Sequence, residues 1–124
     1  TNSISGSVPA EWSSWTSLEV LILSHMNLEG TIDVVLAELF EQQLMVADLS
    51  WNGNIDGSLP DVPSPTALGP EEIILTGCKL TGSLPSSWAS YTNLRVIKLN
   101  RNELTGQIPG SWFNMGSLTQ LSLG

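Results

Sequence analysis

Basic charge is nearly missing from this chain. Its 124 residues hold four Lys and Arg against twelve Asp and Glu, for a formal net charge of −8. Such a field repels a nucleic-acid backbone or an anionic membrane and tolerates a cationic protein partner. One cysteine, Cys78, excludes an internal disulfide framework and any Cys-rich zinc site. One histidine, His25, leaves no cluster for a metal, and no cofactor is expected. No G-x-S-x-G elbow and no phosphate-cradling glycine loop is present, so an enzyme has no residues to work with. The adjacent acids Glu71 and Glu72 fall on an expected strand. Successive side chains there point to opposite faces, the wrong geometry for shared acid–base work. No apolar run reaches the roughly 18–20 residues that span a bilayer, so membrane attachment would need an anchor flanking this chain. Charged residues make up only 13% and apolar ones 41%, which argues for a packed core rather than disorder.

What is present is repetition. Ile4-Ser5-Gly6-Ser7-Val8-Pro9, Leu28-Glu29-Gly30-Thr31-Ile32-Asp33, Ile55-Asp56-Gly57-Ser58-Leu59-Pro60, Leu80-Thr81-Gly82-Ser83-Leu84-Pro85 and Leu104-Thr105-Gly106-Gln107-Ile108-Pro109 all read aliphatic-x-Gly-x-aliphatic-Pro, failing only at Asp33. The glycines are 24, 27, 25 and 24 residues apart. A second block precedes each glycine: Leu18-x-x-Leu21-x-Leu23, Leu94-x-x-Ile97-x-Leu99 and Leu118-x-x-Leu121-x-Leu123, with weaker copies starting at Leu44 and Pro70. A third block follows the proline, with Trp12, Trp88 and Trp112 three residues on and Trp15, Tyr91 and Met115 three further.

These phased blocks resemble the leucine-rich-repeat family, in its plant-type subclass L-x-x-L-x-L-x-x-N-x-L-x-G-x-I-P, over essentially the whole chain. The segment Val8-Pro9-Ala10-Glu11-Trp12-Ser13-Ser14-Trp15 also looks like the repeats of trypanosomatid surface antigens. The lack of any Asn-x-Ser/Thr sequon points away from a plant receptor ectodomain and leaves a surface-antigen or a microbial reading better placed. The resemblance implies an α/β fold: a right-handed leucine-rich-repeat solenoid of about five coils, with a parallel β-sheet on the concave face. Residues 1–124 are read as a single array, with partial units at both ends, and as a fragment of a longer one.

Each L-x-x-L-x-L stretch is a short strand whose leucines cannot be buried alone, so stacked coils share one core. The Asn after the strand, Asn2, Asn52 or Asn102, would turn inward and satisfy loop backbone groups. Cys78 and Met26 take that place in two units, and Cys78 reads as a small buried residue. The Trp and its partner three residues later are expected to lay two apolar side chains into the core from a short helical turn. Residues 34–43 read as a true helix, with Val35, Leu36, Leu39 and Phe40 on the buried face. The proline-bearing segment 61–70 reads as an irregular loop.

In the family that these repeats resemble, the inner strand surface is the usual contact area. Three of the four basic residues, Arg95, Lys98 and Arg101, fall on one strand and its turn. Either Arg95 pairs laterally with Glu71, one strand or about 4.8 Å away, or the row meets an acidic partner. Trp51 lies after its strand, away from the post-proline place, as an exposed binding anchor or as a ring folded over the neighbouring loop. His25 lies beside it. The candidate partner-binding residues are His25, Asp48, Trp51, Arg95, Lys98 and Arg101, with no catalytic or metal-binding ones. The expected function is a non-catalytic recognition module of an extracellular or cell-surface protein, taking a protein or peptide ligand and no nucleic acid. The alternative is a structural spacer or coat that self-associates end to end without a dedicated ligand.

Overall fold

The computed structural model describes residues 6–7, 10–62 and 68–124. Its strands are Gly6–Ser7 (β1), Val20–Ile22 (β2), Leu28–Thr31 (β3), Val46–Asp48 (β4), Asn54–Asp56 (β5), Glu72–Ile74 (β6), Val96–Lys98 (β7) and Gln120–Ser122 (β8). One helix, α1, spans Asp33–Phe40. Three 3₁₀ turns span Ala10–Ser14, Ser86–Ser90 and Gly110–Asn114.

Two parallel sheets wrap a shared interior. The larger runs β2-β4-β6-β7-β8, one strand per coil, and the smaller runs β1-β3-β5 on the flank. Single bridges, Ser58 to Thr81 and Ser83 to Thr105, carry the flank pairing into the later coils. The strands of the larger sheet are three residues long, each with its middle side chain turned inward. The middle residues Leu21, Ala47, Ile73, Ile97 and Leu121 lie in register across the larger sheet. A second inward row, Leu49, Leu75 and Leu99, follows one step beyond the strands and is at most 1% exposed. Fully burying each such side chain stabilises by about 1.5–3 kcal/mol, so the stacked rows are the main cohesive element.

Polar ladders hold the loops that follow. Asn52 is 1% exposed. Its Oδ1 accepts the Met26 and Leu28 N–H groups at 2.9 and 3.0 Å, and its Nδ2 donates to the Leu23 and Leu49 carbonyls at 3.0 and 2.8 Å. The unit in which Met26 replaces the ladder residue is thus served by the asparagine of the next coil. Asn102 repeats the pattern with the Leu80 N–H and the Leu75 and Leu99 carbonyls. Cys78 is buried and its Sγ lies 3.5 Å from the Leu49 carbonyl. Burial pushes its thiol pKa up, so it is an inert packing residue. Asn2 lies outside the described residues.

The Pro-x-x-Trp spacing has a hydrogen-bonding reason. Trp88 Nε1 donates to the Pro60 carbonyl at 2.8 Å and Trp112 Nε1 to the Pro85 carbonyl at 2.9 Å, each one coil back. The two rings stack at 5.8 Å with planes 4° apart. Tyr91 is buried beside them, but Trp15 is a correction. It is 42% exposed, because its ring stacks on the half-buried Trp12 at 5.3 Å instead of inserting beneath it. The proline-bearing loop is irregular at 61–62 and 68–70, and its remainder lies outside the described residues.

Helix α1 buries Val35, Leu36, Leu39 and Phe40 as expected, and ends three residues earlier than the sequence suggested. It ends on an acid. Glu41 is the C-cap, at the negative end of the helix dipole, and no basic residue sits in the last turn. Glu41 Oε2 and the Tyr91 hydroxyl are both shielded from solvent, and neither has a partner in bonding geometry. Burial raises the Glu41 carboxyl above its usual range; the Tyr91 hydroxyl offsets part of this, and Glu38 adds repulsion. A carboxyl whose folded pKa is raised favours the fold most below its unfolded value of 4.5 and loses that contribution as pH rises through the folded value. At neutral pH the ionised side chain is therefore a liability. Glu41→Gln should raise the melting midpoint at pH 7 by about 1–3 °C, as expected for relieving a charge at a helix end. The gain should shrink at pH 4; an equal gain at both values would mean that ionisation is not the cause.

Candidate functional site

The exposed face of the larger sheet is a grid whose rows run from coil to coil. Val20, Val46, Glu72, Val96 and Gln120 form one row, and Ile22, Asp48, Ile74, Lys98 and Ser122 the next. Val20 and Ile22 are 52% and 58% exposed. Asp48 sits between Ile22 and Ile74, and its Oδ1 accepts from both the Ser50 N–H and the Ser50 hydroxyl. That local bonding turns one carboxylate oxygen towards its own chain.

One station further, where the chain leaves the strand, stand His25, Trp51, Gly77 and Arg101. All four have left-handed backbone, with φ of 59, 60, 74 and 60°. Three are not glycine, and this conformation costs an L-residue about 1–2 kcal/mol. The strain is held by the same cross-coil bonds that extend the sheet. The His25, Trp51 and Gly77 N–H groups donate to the Ser50, Thr76 and Asn100 carbonyls at 3.1, 2.7 and 3.1 Å. Four side-chain positions are thereby fixed in one line, about one strand spacing apart.

Trp51 fills this line. His25 stacks on it, with ring centres 6.2 Å apart and planes 16° apart. On its other side the ring lies over Gly77, close enough that a β-carbon there would stand 2.3 Å from Cε3. The Arg101 guanidinium reaches back across the glycine to 6.0 Å from the ring centre. His25 and Gly77 thus flank the indole, which is 45% exposed overall, and the guanidinium meets solvent beside it. The two sequence accounts of Trp51 merge, since the ring is folded over its neighbour and still half-exposed.

The basic residues divide. Arg95 is taken up within the sheet, with Nη2 2.9 Å from Glu72 Oε2 and Nε 3.9 Å from Glu71 Oε1. Glu71 and Glu72 do not point to opposite faces, as alternation predicts. Glu71 precedes β6, where the chain has not yet entered the pleat, so both acids reach the same arginine. Lys98 and Arg101 have no acid within ion-pair distance among the described residues. The structure thus brings His25, Trp51 and Arg101 together, leaves Asp48 and Lys98 one row in from that line, and assigns Arg95 to a lateral ion pair.

Gly77 was not among the candidate residues. Its signal was legible, because it occupies the repeat position of His25, Trp51 and Arg101, and a glycine among three large side chains marks a close approach. No group of three His, Cys, Asp or Glu among the described residues can hold a metal. The site is open surface: a recess lined by Glu19, Gln42, Met45, Leu68 and Asn93 lies beyond the other end of the strands. No helix among the described residues is long and apolar enough to cross a membrane.

Comparison with known proteins bears on the fold first. The family model described as Leucine Rich Repeat matches residues 93–115. No curated protein matches the chain. Among solved structures, the PEPR1–AtPEP1 complex is 35% identical over 96% of this chain and 16% of that one, with a TM-score of 0.85. The Arabidopsis receptor kinase HAESA, solved with the peptide hormone IDA and the co-receptor SERK1, is 26% identical over 98% of this chain and 20% of that one, with a TM-score of 0.86. A plant ice-binding protein is 26% identical over 98% of this chain and 45% of that one, with a TM-score of 0.66. The chain spans about a fifth or less of the length of the first two. The fold is a leucine-rich-repeat solenoid with its parallel sheet on the concave face. The Arabidopsis receptor kinase and the plant ice-binding protein lend no support to the trypanosomatid surface-antigen resemblance. The missing sequons argue against a plant receptor ectodomain, whereas the solved structures of similar fold include one.

Proposed function

We propose that this chain is a non-catalytic recognition module of an extracellular or cell-surface protein, binding a protein or peptide through the concave face at the His25–Trp51–Arg101 line. The observation that carries the reading is Arg101, a guanidinium held against a half-exposed indole with no acid to neutralise it. A half-exposed tryptophan beside an arginine is the residue pairing in which interface binding energy concentrates. Asp48 and Lys98 border the line on the ligand side, and Arg95 is held by Glu71 and Glu72 rather than left for a ligand. The solved structures of similar fold include a receptor kinase in complex with a peptide hormone, which supports a peptide or protein partner and an extracellular setting. A plant ice-binding protein shares the fold, so the side chains rather than the fold set the ligand.

The test uses a random 12-residue peptide library displayed on phage and panned on the immobilised 124-residue chain. Enriched peptides, synthesised and titrated by calorimetry, should bind Trp51→Ala/Arg101→Ala at least about tenfold more weakly than the parent, a loss of about 1.4 kcal/mol. The melting midpoint should change little, because both side chains are largely on the surface. Equal affinity for parent and double variant would remove the site.

A further inference from the structure

Resting on that reading, the grid also specifies the ligand. We infer that the concave face takes an extended peptide lying across the strands, with an apolar side chain over Val20 and Ile22 and a carboxylate side chain about four residues away over Lys98 and Arg101.

The face is polarised along the solenoid. Its first two coils present Val20, Ile22 and Val46, exposed or half-exposed apolar side chains with no covering element. Its fourth coil presents Lys98 and Arg101, both without an acidic partner among the described residues. The third coil separates them with Glu72, already paired to Arg95, and with Ile74. Ile22 and Lys98 stand in the same row, three strand steps apart. At about 4.8 Å per step this is about 14 Å, which an extended peptide covers in about four residues. A helix would need some nine residues for the same distance and would present its own side chains at the wrong period.

Charge complementarity selects the acidic group. The chain carries −8 overall, so an acidic peptide is repelled nearly everywhere on its surface. On the concave face the Lys98–Arg101 corner is the exception, and Trp51 together with the gap at Gly77 holds the guanidinium in place there. Local attraction against global repulsion fixes both the position and the orientation of the ligand, because a peptide shifted back by one coil sets its carboxylate over Ile74, where no cation meets it.

The experiment extends the same panning to the 124-residue chain and to two variants, Val20→Ser/Ile22→Ser and Lys98→Gln/Arg101→Gln, each checked for parental circular dichroism. On the parent, enriched peptides should carry Asp or Glu three to five positions from Val, Leu, Ile or Phe. The Lys98→Gln/Arg101→Gln pool should lose the acid and keep the apolar residue, and the Val20→Ser/Ile22→Ser pool should do the reverse. Replacing the acid by its amide in a parental peptide should weaken binding about tenfold on the parent and less than twofold on Lys98→Gln/Arg101→Gln. Enriched peptides without a spaced acid, or an acid whose removal costs the same on both proteins, would overturn the ligand assignment and leave the recognition site standing. No enrichment on the parent would overturn both.

Discussion

Asn52→Ala should be among the most destabilising single substitutions in the chain, lowering stability by about 3–5 kcal/mol and the melting midpoint by roughly 10–15 °C. The side chain touches no ligand surface. Its effect comes from two backbone N–H groups, of Met26 and Leu28, and two carbonyls, of Leu23 and Leu49, that have the amide as partner inside the solenoid. Each buried group left unmet costs about 1–3 kcal/mol, and water has little room to replace an amide at a residue 1% exposed. Asn102→Ala removes a comparable set of bonds from a half-buried position, so its cost should be clearly smaller. Thermal melts of the two variants decide the matter. Equal and small losses would mean that the coils are held by leucine packing alone.

Gly77→Ala should act on stability and on the binding line together. The added methyl meets Trp51 at 2.3 Å from Cε3, 2.7 Å from Cζ3 and 2.9 Å from Cδ2. Nothing can give except the indole. The backbone is pinned by the bond from the Gly77 N–H to the Asn100 carbonyl, and its φ of 74° already costs an L-residue about 1–2 kcal/mol. The ring must swing out, separating from His25 and leaving Arg101 without its π partner. We expect a loss of about 2 kcal/mol, a fall in near-ultraviolet ellipticity, and peptide binding reduced to the level of Trp51→Ala. A double-mutant cycle isolates the cause. In a Trp51→Ala background the methyl has no ring to strike, so Gly77→Ala should then cost only the backbone term. Full additivity of the two changes would show that the ring is not what the methyl meets.

Much of the fold was legible in the residues. The five copies of aliphatic-x-Gly-x-aliphatic-Pro and the leucine blocks before them gave the coil length, the strand positions and the buried rows. The Val35, Leu36, Leu39 and Phe40 face was equally plain, because a helical period admits one arrangement. Three readings failed, each for a reason that periodicity does not encode. Trp15 occupies a core position in the repeat yet stacks on Trp12 and stays half-exposed, a ring-on-ring contact that spacing does not reveal. Glu71 and Glu72 share a partner because the strand begins one residue later than the pattern suggested. Gly77 was passed over because a missing side chain attracts no notice until its neighbours in space are known.

The candidate site divides in the same way. Sequence spacing placed His25, Trp51 and Arg101 at one station of successive coils, and placed Arg95 beside Glu71. Whether a cation was consumed or left over could not be settled from spacing, since Arg95 and Arg101 are equally basic and equally exposed in a list of positions. The coil-to-coil register decided it, by setting Arg95 against two carboxylates and Arg101 against an indole and a glycine. The amino-acid sequence by itself determined the solenoid, because repeat length and leucine phase leave one way to bury the chain. Only the tertiary structure decided which charges remain available for a partner. That depends on lateral neighbours some two dozen residues apart in sequence, and on a few ångströms of side-chain reach.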